Sequence, residues 1–371
     1  MSNHADLVQD MPPFTGSPSR RSVKGLCTPP LGTVRVAFVG LGDRGQTTLR
    51  LMANVPAARI TALCDVSAEQ VQAARSLLAT DAGVQCFSGT AAYRQLCCSS
   101  EVDLVYVCSD WASHTAIAVE AMRHGKHVAV EVPAATTLEE LWLLVDTAEE
   151  TRRHCVLLEN CCYDPQLPAT LASIRSGQIG QLVHAEGSYY HCLEDRWTRW
   201  RLDINRRQRG DLYPTHELGP ICQALEVGTS DRLQTLVCMD SSAFAGSETY
   251  QRHLGETAPD FQNGDHTTTL IRTALGRTIL LKHDVLTRQP YERRLTFIGT
   301  HDALTLDDQG RPSHEEMTRR MNARLIECLA KGLPTDSDVY DLATWCAVIP
   351  LSRLSIERGF APVHFPNFMR G

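Results

Sequence analysis

The segment "GDLYPTHELGP", residues 210–220, sets a phenol and an imidazole three positions apart, at Tyr213 and His216. Pro214 holds its own φ near about −65° and removes one backbone donor, so the loop that presents the pair is stiff. Histidine titrates near neutral pH and serves as general acid or base, while a tyrosine phenol donates a hydrogen bond or, once activated, takes a proton. A rigid Tyr/His unit suits proton transfer at neighbouring atoms of one small substrate. Read as plain architecture, the same segment is a proline-stiffened loop with a core tyrosine and a satisfied histidine.

A second constellation, "GLGDRG", follows an apolar run directly and opens a helical pattern. Gly40, Gly42 and Gly45 permit a tight turn, close approach of backbone to a pyrophosphate and close helix packing, with phosphates at the helix N-terminus. Asp65 ends the next apolar run twenty residues after Gly45, where a carboxylate accepts hydrogen bonds from ribose hydroxyls and repels a 2′-phosphate. NAD is therefore expected as cofactor rather than NADP. "SDWASH" brings Trp111, Ala112, Ser113 and His114 to the carboxyl end of the third expected strand, and "EVP" brings Glu131 and Val132 to the end of the fourth, both places that line a ligand crevice. Ser113 as a helix cap and His114 as an ordinary first-turn residue are the plainer readings there.

These groups need elements to position them. Apolar runs "VRVAFV", "RITALCD", "VDLVYV" and "HVAVEV" alternate with the helical stretches "QTTLRLMANV", "SAEQVQAARSLLA" and "SHTAIAVEAMRHG". That alternation predicts right-handed crossovers and a doubly wound parallel sheet, an α/β dinucleotide-binding domain over 34–155. Ser67 is the expected N-cap of the second helix and Gly125 the stop of the helix that follows "SH". Beyond "TLEELWLLVDTAEETRRH", strands follow strands: "QLVHAEGSYYH", a pair around Gly276, and two more in "RRLTFIGTHDALTLDD". Residues 156–335 are thus expected as an α+β substrate domain with a largely antiparallel open sheet. Residues 336–371 are expected to close the chain with one amphipathic helix and a tail, and residues 1–33 to form a flexible leader.

Composition narrows the partners. The 371 residues carry a formal net charge of −7 and no Lys/Arg-dense stripe, which excludes a nucleic-acid footprint and favours a small-molecule ligand. The longest apolar runs fall short of the roughly 20 residues a spanning helix needs, so no membrane partner is expected. The fourteen cysteines include no pair spaced for zinc, and no metal is expected. "SRRSVKG" looks like a twin-arginine signal, but "LCTPPLGT" after it lacks an apolar segment, so a cytoplasmic location is expected.

With these pieces assembled, the chain resembles the glucose-fructose oxidoreductase and inositol dehydrogenase superfamily, whose dehydrogenases carry Glu-Lys-Pro where this chain has "EVP", with Val132 in the place of the lysine. It is more similar to the NAD-dependent glycosidases of glycoside hydrolase family 109, whose type activity removes α-linked N-acetylgalactosamine. The motifs "GLGDRG", "ALCD", "DWASH", "EVPAATTLEE", "LLENCCY", "HAEGSYYH", "WRL", "GDLYPTHELGP" and "HDVLTRQPY" carry the resemblance, from about Val34 to Asp307. By matching position it implies cofactor contacts at Asp43, Arg44, Asp65, Trp111 to His114, Glu131, Val132, Asn160 and the segment Tyr213, Pro214, Thr215, His216. Substrate contacts are implied at Tyr189, Arg201, Tyr213 and Tyr291. The implied chemistry is redox-neutral: hydride leaves carbon 3 of the sugar, the carbon-2 proton becomes acidic, the carbon-1 substituent is eliminated, water adds and hydride returns. His216 would handle the 3-hydroxyl proton, Tyr213 would act at carbon 2 or stabilise the enolate, and Glu131 is a second proton-handling candidate. The superfamily often forms dimers or tetramers, so a homo-oligomer is among the implied states. Two departures stand out: a short segment between "YYH" and "WRW", and Glu217 where a glycine is expected.

Two other readings use the same residues. A net sugar or cyclitol dehydrogenase would produce stoichiometric NADH, and Val132 opposes it. A non-enzymatic NAD(H)-responsive protein would need the dinucleotide half alone. His184, His253 and His283 read as structural.

Overall fold

A computed structural model describes residues 21–79, 83–191, 193, 196–307 and 312–369. They fall into two compact units, one spanning Gly16–Tyr163 with Pro312–Cys346 and the other Asp164–Arg311 with Ala347–Gly371.

The first unit is wound as β1 (Val34–Val39), α1 (Asp43–Met52), β2 (Ala58–Asp65), α2 (Ala68–Arg75), β3 (Gln85–Ser88), α3 (Ala92–Cys98), β4 (Leu104–Val107), α4 (Trp111–Arg123), β5 (His127–Val130), α5 (Leu138–Thr151) and β6 (Cys155–Leu157). The six strands are parallel in the order β3-β2-β1-β4-β5-β6. Every residue of β4 and β5 is buried, as expected for strands covered on both faces. The order reverses between β1 and β4, and at such a switch point the loops beyond the carboxyl ends diverge to leave a crevice. Ser67 caps α2 through Gln70 N, as expected, but the cap of α4 is Asp110 rather than Ser113, with Asp110 Oδ1 accepting from Ser113 N at 3.1 Å. Strand β3 goes beyond the apolar runs of the sequence: it spans only four residues and alternates between half-buried and exposed positions.

The second unit contains α6 (Leu167–Arg175), β7 (Leu182–Tyr190), α7 (Arg199–Arg207), α8 (Thr215–Ala224), β8 (Leu233–Asp240), α9 (Phe244–Leu254), β9 (Thr267–Thr273), β10 (Thr278–Asp284), β11 (Glu292–Gly299) and β12 (Ala303–Leu306). The chain then contributes α10 (His314–Lys331) and α11 (Val339–Cys346) to the first unit and returns with α12 (Val348–Glu357) and β13 (Val363–His364). The sheet runs β12-β11-β7-β10-β9-β8-β13, antiparallel except for the parallel pair β7/β10. Gly276, at φ +84°, makes the β9–β10 turn.

Three expectations are corrected. The closing helix is two helices, because the Pro350 ring would clash with the carbonyl of Cys346 one turn earlier and forces a break at Ala347. The leader is structured from residue 21: Val23 and Leu26 are buried, Val23 N donates to the Tyr340 hydroxyl at 3.0 Å, and Leu31 N and Gly32 N donate to Leu329 O and Ala330 O. Helix α10, read from sequence as the end of the second domain, sends Met321, Leu325, Ile326 and Leu329 into the core of the parallel sheet. An apolar stripe predicts a helix without saying which core it will join.

Candidate active site

In the first unit, β1 stops at Gly40, whose φ of +90° is left-handed and whose missing Cβ would collide with the backbone of Cys108 and Ser109 at the end of β4. Gly45 packs against the Gly40 carbonyl with the same intolerance. Gly42 differs: it faces open space and caps α1 without any side-chain hydrogen bond, leaving the first N–H groups of the helix aimed outward. A pyrophosphate fits this cradle, since helix N-termini bind anions and no side chain fills the place.

Asp65 ties the crevice together. Its Oδ2 accepts from Leu41 N at 2.6 Å and its Oδ1 from Ser67 N at 2.9 Å, so the carboxylate is oriented by two backbone donors with lone pairs left for a ribose diol. Asp43 is exposed in the first turn of α1. Arg44 donates from Nε to Glu131 Oε1 at 2.7 Å, beyond the end of β5. Burial presses on the guanidinium, but the Glu131 carboxylate outweighs it and holds Arg44 firmly cationic. Trp111 and His114 are buried in the first turn of α4, while Ala112 is exposed. His114 sets Nδ1 2.8 Å from Pro133 O and Nε2 2.9 Å from Ser109 O, so its ring joins the loops after β4 and β5. Burial lowers its proton affinity against those two carbonyls. Val132 is half-buried beside Pro133, and Asn160, buried in a 3-10 turn, donates to Thr318 Oγ1 at 3.0 Å and His314 O at 3.1 Å.

The second unit holds the aromatic and imidazole groups. Pro214 is the residue before α8, which places Thr215 and His216 in the first turn. Strand alternation puts Gly187 and Tyr189 of β7 on one face, with His283 of β10 and Arg293 of β11 in register beside Tyr189. The Tyr189 ring lies 4.9 Å from that of His216 and 6.2 Å, nearly parallel, from that of His283, and Tyr213 lies 5.7 Å from His283. The Tyr189 hydroxyl is 2.8 Å from His191 Nδ1, and Tyr291, 44% exposed, meets the His191 ring edge-on at 5.3 Å. Burial pushes His191 down to about 4, with Arg196 and His216 adding to the fall, so its ring is neutral at physiological pH. Burial raises the Tyr213 phenol above its ordinary value, with the Arg201 guanidinium pulling the other way. Tyr213 is thus a donor at neutral pH rather than a ready base.

The structure therefore gathers Tyr189, Arg201, Tyr213, His216 and Tyr291 in one unit, and Gly40, Asp65, Trp111, His114, Glu131 and Asn160 in the other. Glu217 is fully buried in the first turn of α8, its Cβ directly over Gly187, so the acidic side chain occupies space that a glycine on the strand leaves open. The short segment before α7 lies partly outside the described residues. Sequence reasoning missed His191, Asp211 and His283. For His191 a signal existed: the alternation of "YYH" places it on the face of Tyr189.

A parallel sheet with this glycine cradle and oriented carboxylate, accompanied by an open mixed sheet rich in Tyr and His, defines an oxidoreductase-like NAD-binding protein. Residues 34–158 match the model of the oxidoreductase family NAD-binding Rossmann fold, and residues 163–311 and 305–371 match the glycosyl hydrolase 109 C-terminal domain. The chain is 41% identical to a glycosyl hydrolase family 109 protein of Porphyromonas gingivalis, over 100% of this chain and 92% of that one. It is 42% identical to glycosyl hydrolase family 109 protein 1 of Phocaeicola vulgatus, over 95% of this chain and 87% of the other. Among solved structures, the myo-inositol 2-dehydrogenase of Lactobacillus plantarum shares the fold with a TM-score of 0.74 at 14% identity, covering 90% of this chain and 100% of that one. The myo-inositol dehydrogenase of Lactobacillus casei in complex with NAD(H) and myo-inositol does so with a TM-score of 0.71 at 17% identity, covering 91% and 100%. The chain belongs to glycosyl hydrolase family 109, an NAD-dependent glycoside hydrolase family on an oxidoreductase-like fold.

Proposed function

We propose that the protein hydrolyses terminal α-N-acetylgalactosaminides by a cycle with no net oxidation, in the cytoplasm, using NAD as a reversible hydride acceptor. The observation that carries this reading is the ring cluster in which Tyr189 meets His216 and Tyr213 meets His283, with Arg201 beside Tyr213, in a chain whose "EVP" loop has half-buried Val132 where the related dehydrogenases keep a lysine. Most glycosidases instead set two carboxylates across the scissile bond.

The residues divide the work as follows. His216, at the start of a helix and in contact with Tyr189, accepts the proton of the 3-hydroxyl and returns it. Tyr213, with its phenol kept protonated by burial, donates a hydrogen bond to the oxygen on which enolate charge develops. Arg201 and Tyr189 orient the sugar and its acetamido group, and Tyr291 closes the edge next to His191. In the first unit, Gly40, Gly42 and Gly45 hold the pyrophosphate, Asp65 the ribose diol, and Trp111, Ala112, Ser113, His114, Val132 and Asn160 shape the loops around it. Glu131 keeps Arg44 in place and remains a candidate for proton handling.

The test is release of a chromogenic leaving group from an α-N-acetylgalactosaminide by purified protein without added NAD. Turnover with no accumulation of NADH absorbance supports the reading. Stoichiometric NADH from a free polyol, with no glycoside cleavage, would replace it with a net dehydrogenase.

A further inference from the structure

Beneath the phenols of the second unit lies a buried acid–imidazole contact that the chemistry above does not use. Asp211 stands two residues before Tyr213 and is fully buried. Its carboxylate receives the Tyr213 backbone N–H and, at Oδ2, the Thr269 hydroxyl at 3.5 Å, while its own N–H donates to Ser352 Oγ at 2.9 Å. The other oxygen, Oδ1, lies 3.7 Å from Nδ1 of His283. His283 is 3% exposed, pairs in register with Tyr189, and sets its ring against both Tyr189 and Tyr213. Neither Asp211 Oδ1 nor His283 Nε2 has a hydrogen-bond partner among the described residues.

A carboxylate and an imidazolium are both costly in such a place, so the arrangement suits a protonated acid beside a neutral ring. On the glycosidase reading above, we infer that Asp211 and His283 form a buried, electrostatically coupled pair that positions Tyr213 and Tyr189 and biases the ionisation of the Tyr213–His216 segment. Both are positioning residues; neither touches the sugar. At 3.7 Å the contact between Asp211 Oδ1 and His283 Nδ1 is electrostatic rather than a hydrogen bond, so each group feels the charge of the other without a shared proton. Burial pushes Asp211 up to about 7, against the Tyr213 N–H, Thr269 and His266. Burial pushes His283 down to about 3, against Asp284, with His266, His216 and His191 adding to the fall. The ionisable groups facing the pair are thus His266, Asp284, His191, His216 and, beside Thr269, Cys238. When Asp211 ionises, a negative charge appears beside the loop that carries Tyr213 and favours the imidazolium form of His216.

The experiment follows histidine ring signals in the full-length protein labelled with ¹³C-histidine, His283 being identified by loss of its signal in His283→Gln or by its contacts to the Tyr189 ring. The pair predicts a His283 that stays neutral from about pH 5 to about pH 8, with one small step near pH 7 that is abolished in Asp211→Asn. A His283 that titrates fully around an ordinary midpoint of about 6.5, or that shows no step, overturns the pair whether or not the protein cleaves a glycoside. For the positioning role, Asp211→Asn should raise kcat by up to roughly tenfold above pH 7, the effect of moving a neighbouring pKa by about one unit, because the charge that favours the non-basic imidazolium of His216 is gone, with KM unchanged and the inflection near pH 7 lost. Asp211→Glu should restore the inflection. A wild-type kcat and pH profile in Asp211→Asn overturns that role. Failure of the wild-type protein to cleave any glycoside counts against the glycosidase reading, while the histidine signals still decide the pair.

Discussion

Around their candidate ligand sites, the two units treat polar groups in opposite ways. In the first, side chains around the crevice are committed to backbone or to one another: Asp65 to two N–H groups, His114 to two carbonyls, Arg44 to Glu131, Asn160 to α10. In the second, phenols and imidazoles meet ring to ring, and Asp211 Oδ1 and His283 Nε2 are buried without a hydrogen-bond partner among the described residues. A cofactor retained through the proposed cycle would need a rigid, satisfied cradle. Proton transfer needs groups whose protonation is open to change, and burial without full satisfaction supplies that at some expense in stability.

The largest effect is expected at His216. Replacing it with Gln should cut kcat on a chromogenic glycoside by about 10²–10⁴, the range for losing a general acid–base group; a variant with near-normal kcat would move the proton chemistry elsewhere. The next effect belongs to the cradle. Gly40→Ala must place a methyl group into the Cys108–Ser109 backbone at a left-handed φ of +90°, so denaturant unfolding of the first unit should lose about 1–3 kcal/mol. Glu131→Gln takes the charge from the partner of Arg44, at a cost of about 1.5–3 kcal/mol for a charge-assisted bond, and should loosen NAD retention as judged by cofactor released on heating.

The smallest effect is a difference in pH dependence between the units. Asp211, pushed up to about 7 from an unfolded value near about 3.9, binds its proton more tightly when folded. Its contribution to stability is full below about 3.9 and lost as pH rises through 7, and Asp211→Asn should remove that part of the slope. In the first unit, the His127 and His154 rings meet at a tilt with centroids 5.0 Å apart and are depressed to about 3 and about 4, His127 by burial first and then by His154 and Arg153, His154 by burial and then Arg153. Their contribution is present above about 6.5 and lost as pH falls toward 4. His127→Asn retains an acceptor for His154 N, so it should flatten the acid-side loss without unfolding the unit; unchanged melting from pH 7 to 4 would contradict this sign.

Most of the fold was legible because apolar runs and helical stripes alternate at regular spacing from Val34 onward, and because alternation marks the strands of the mixed sheet. What escaped was short or non-local. Strand β3, "QCFS", is too brief and too exposed at one edge to stand out, and α10 carries a stripe that fits either core. Of the candidate site, the proposals at Gly40, Asp65, Tyr213 and His216 come directly from the sequence, since turn chemistry and loop stiffness are local. His283 could not: within "LLKHDV" it looks like one more inward-facing strand residue. Its meaning comes from a register that sets it beside Tyr189 and from a loop that delivers Asp211 to its ring.

In the proposed cycle a proton leaves carbon 2 of the sugar and is replaced before the hydride returns to carbon 3. The most direct measurement is turnover of an α-N-acetylgalactosaminide in deuterium oxide without added NAD, followed by NMR of the released sugar. Deuterium at carbon 2, with hydrogen retained at carbon 3, is the predicted result. A product that keeps its original hydrogen at carbon 2 would contradict it.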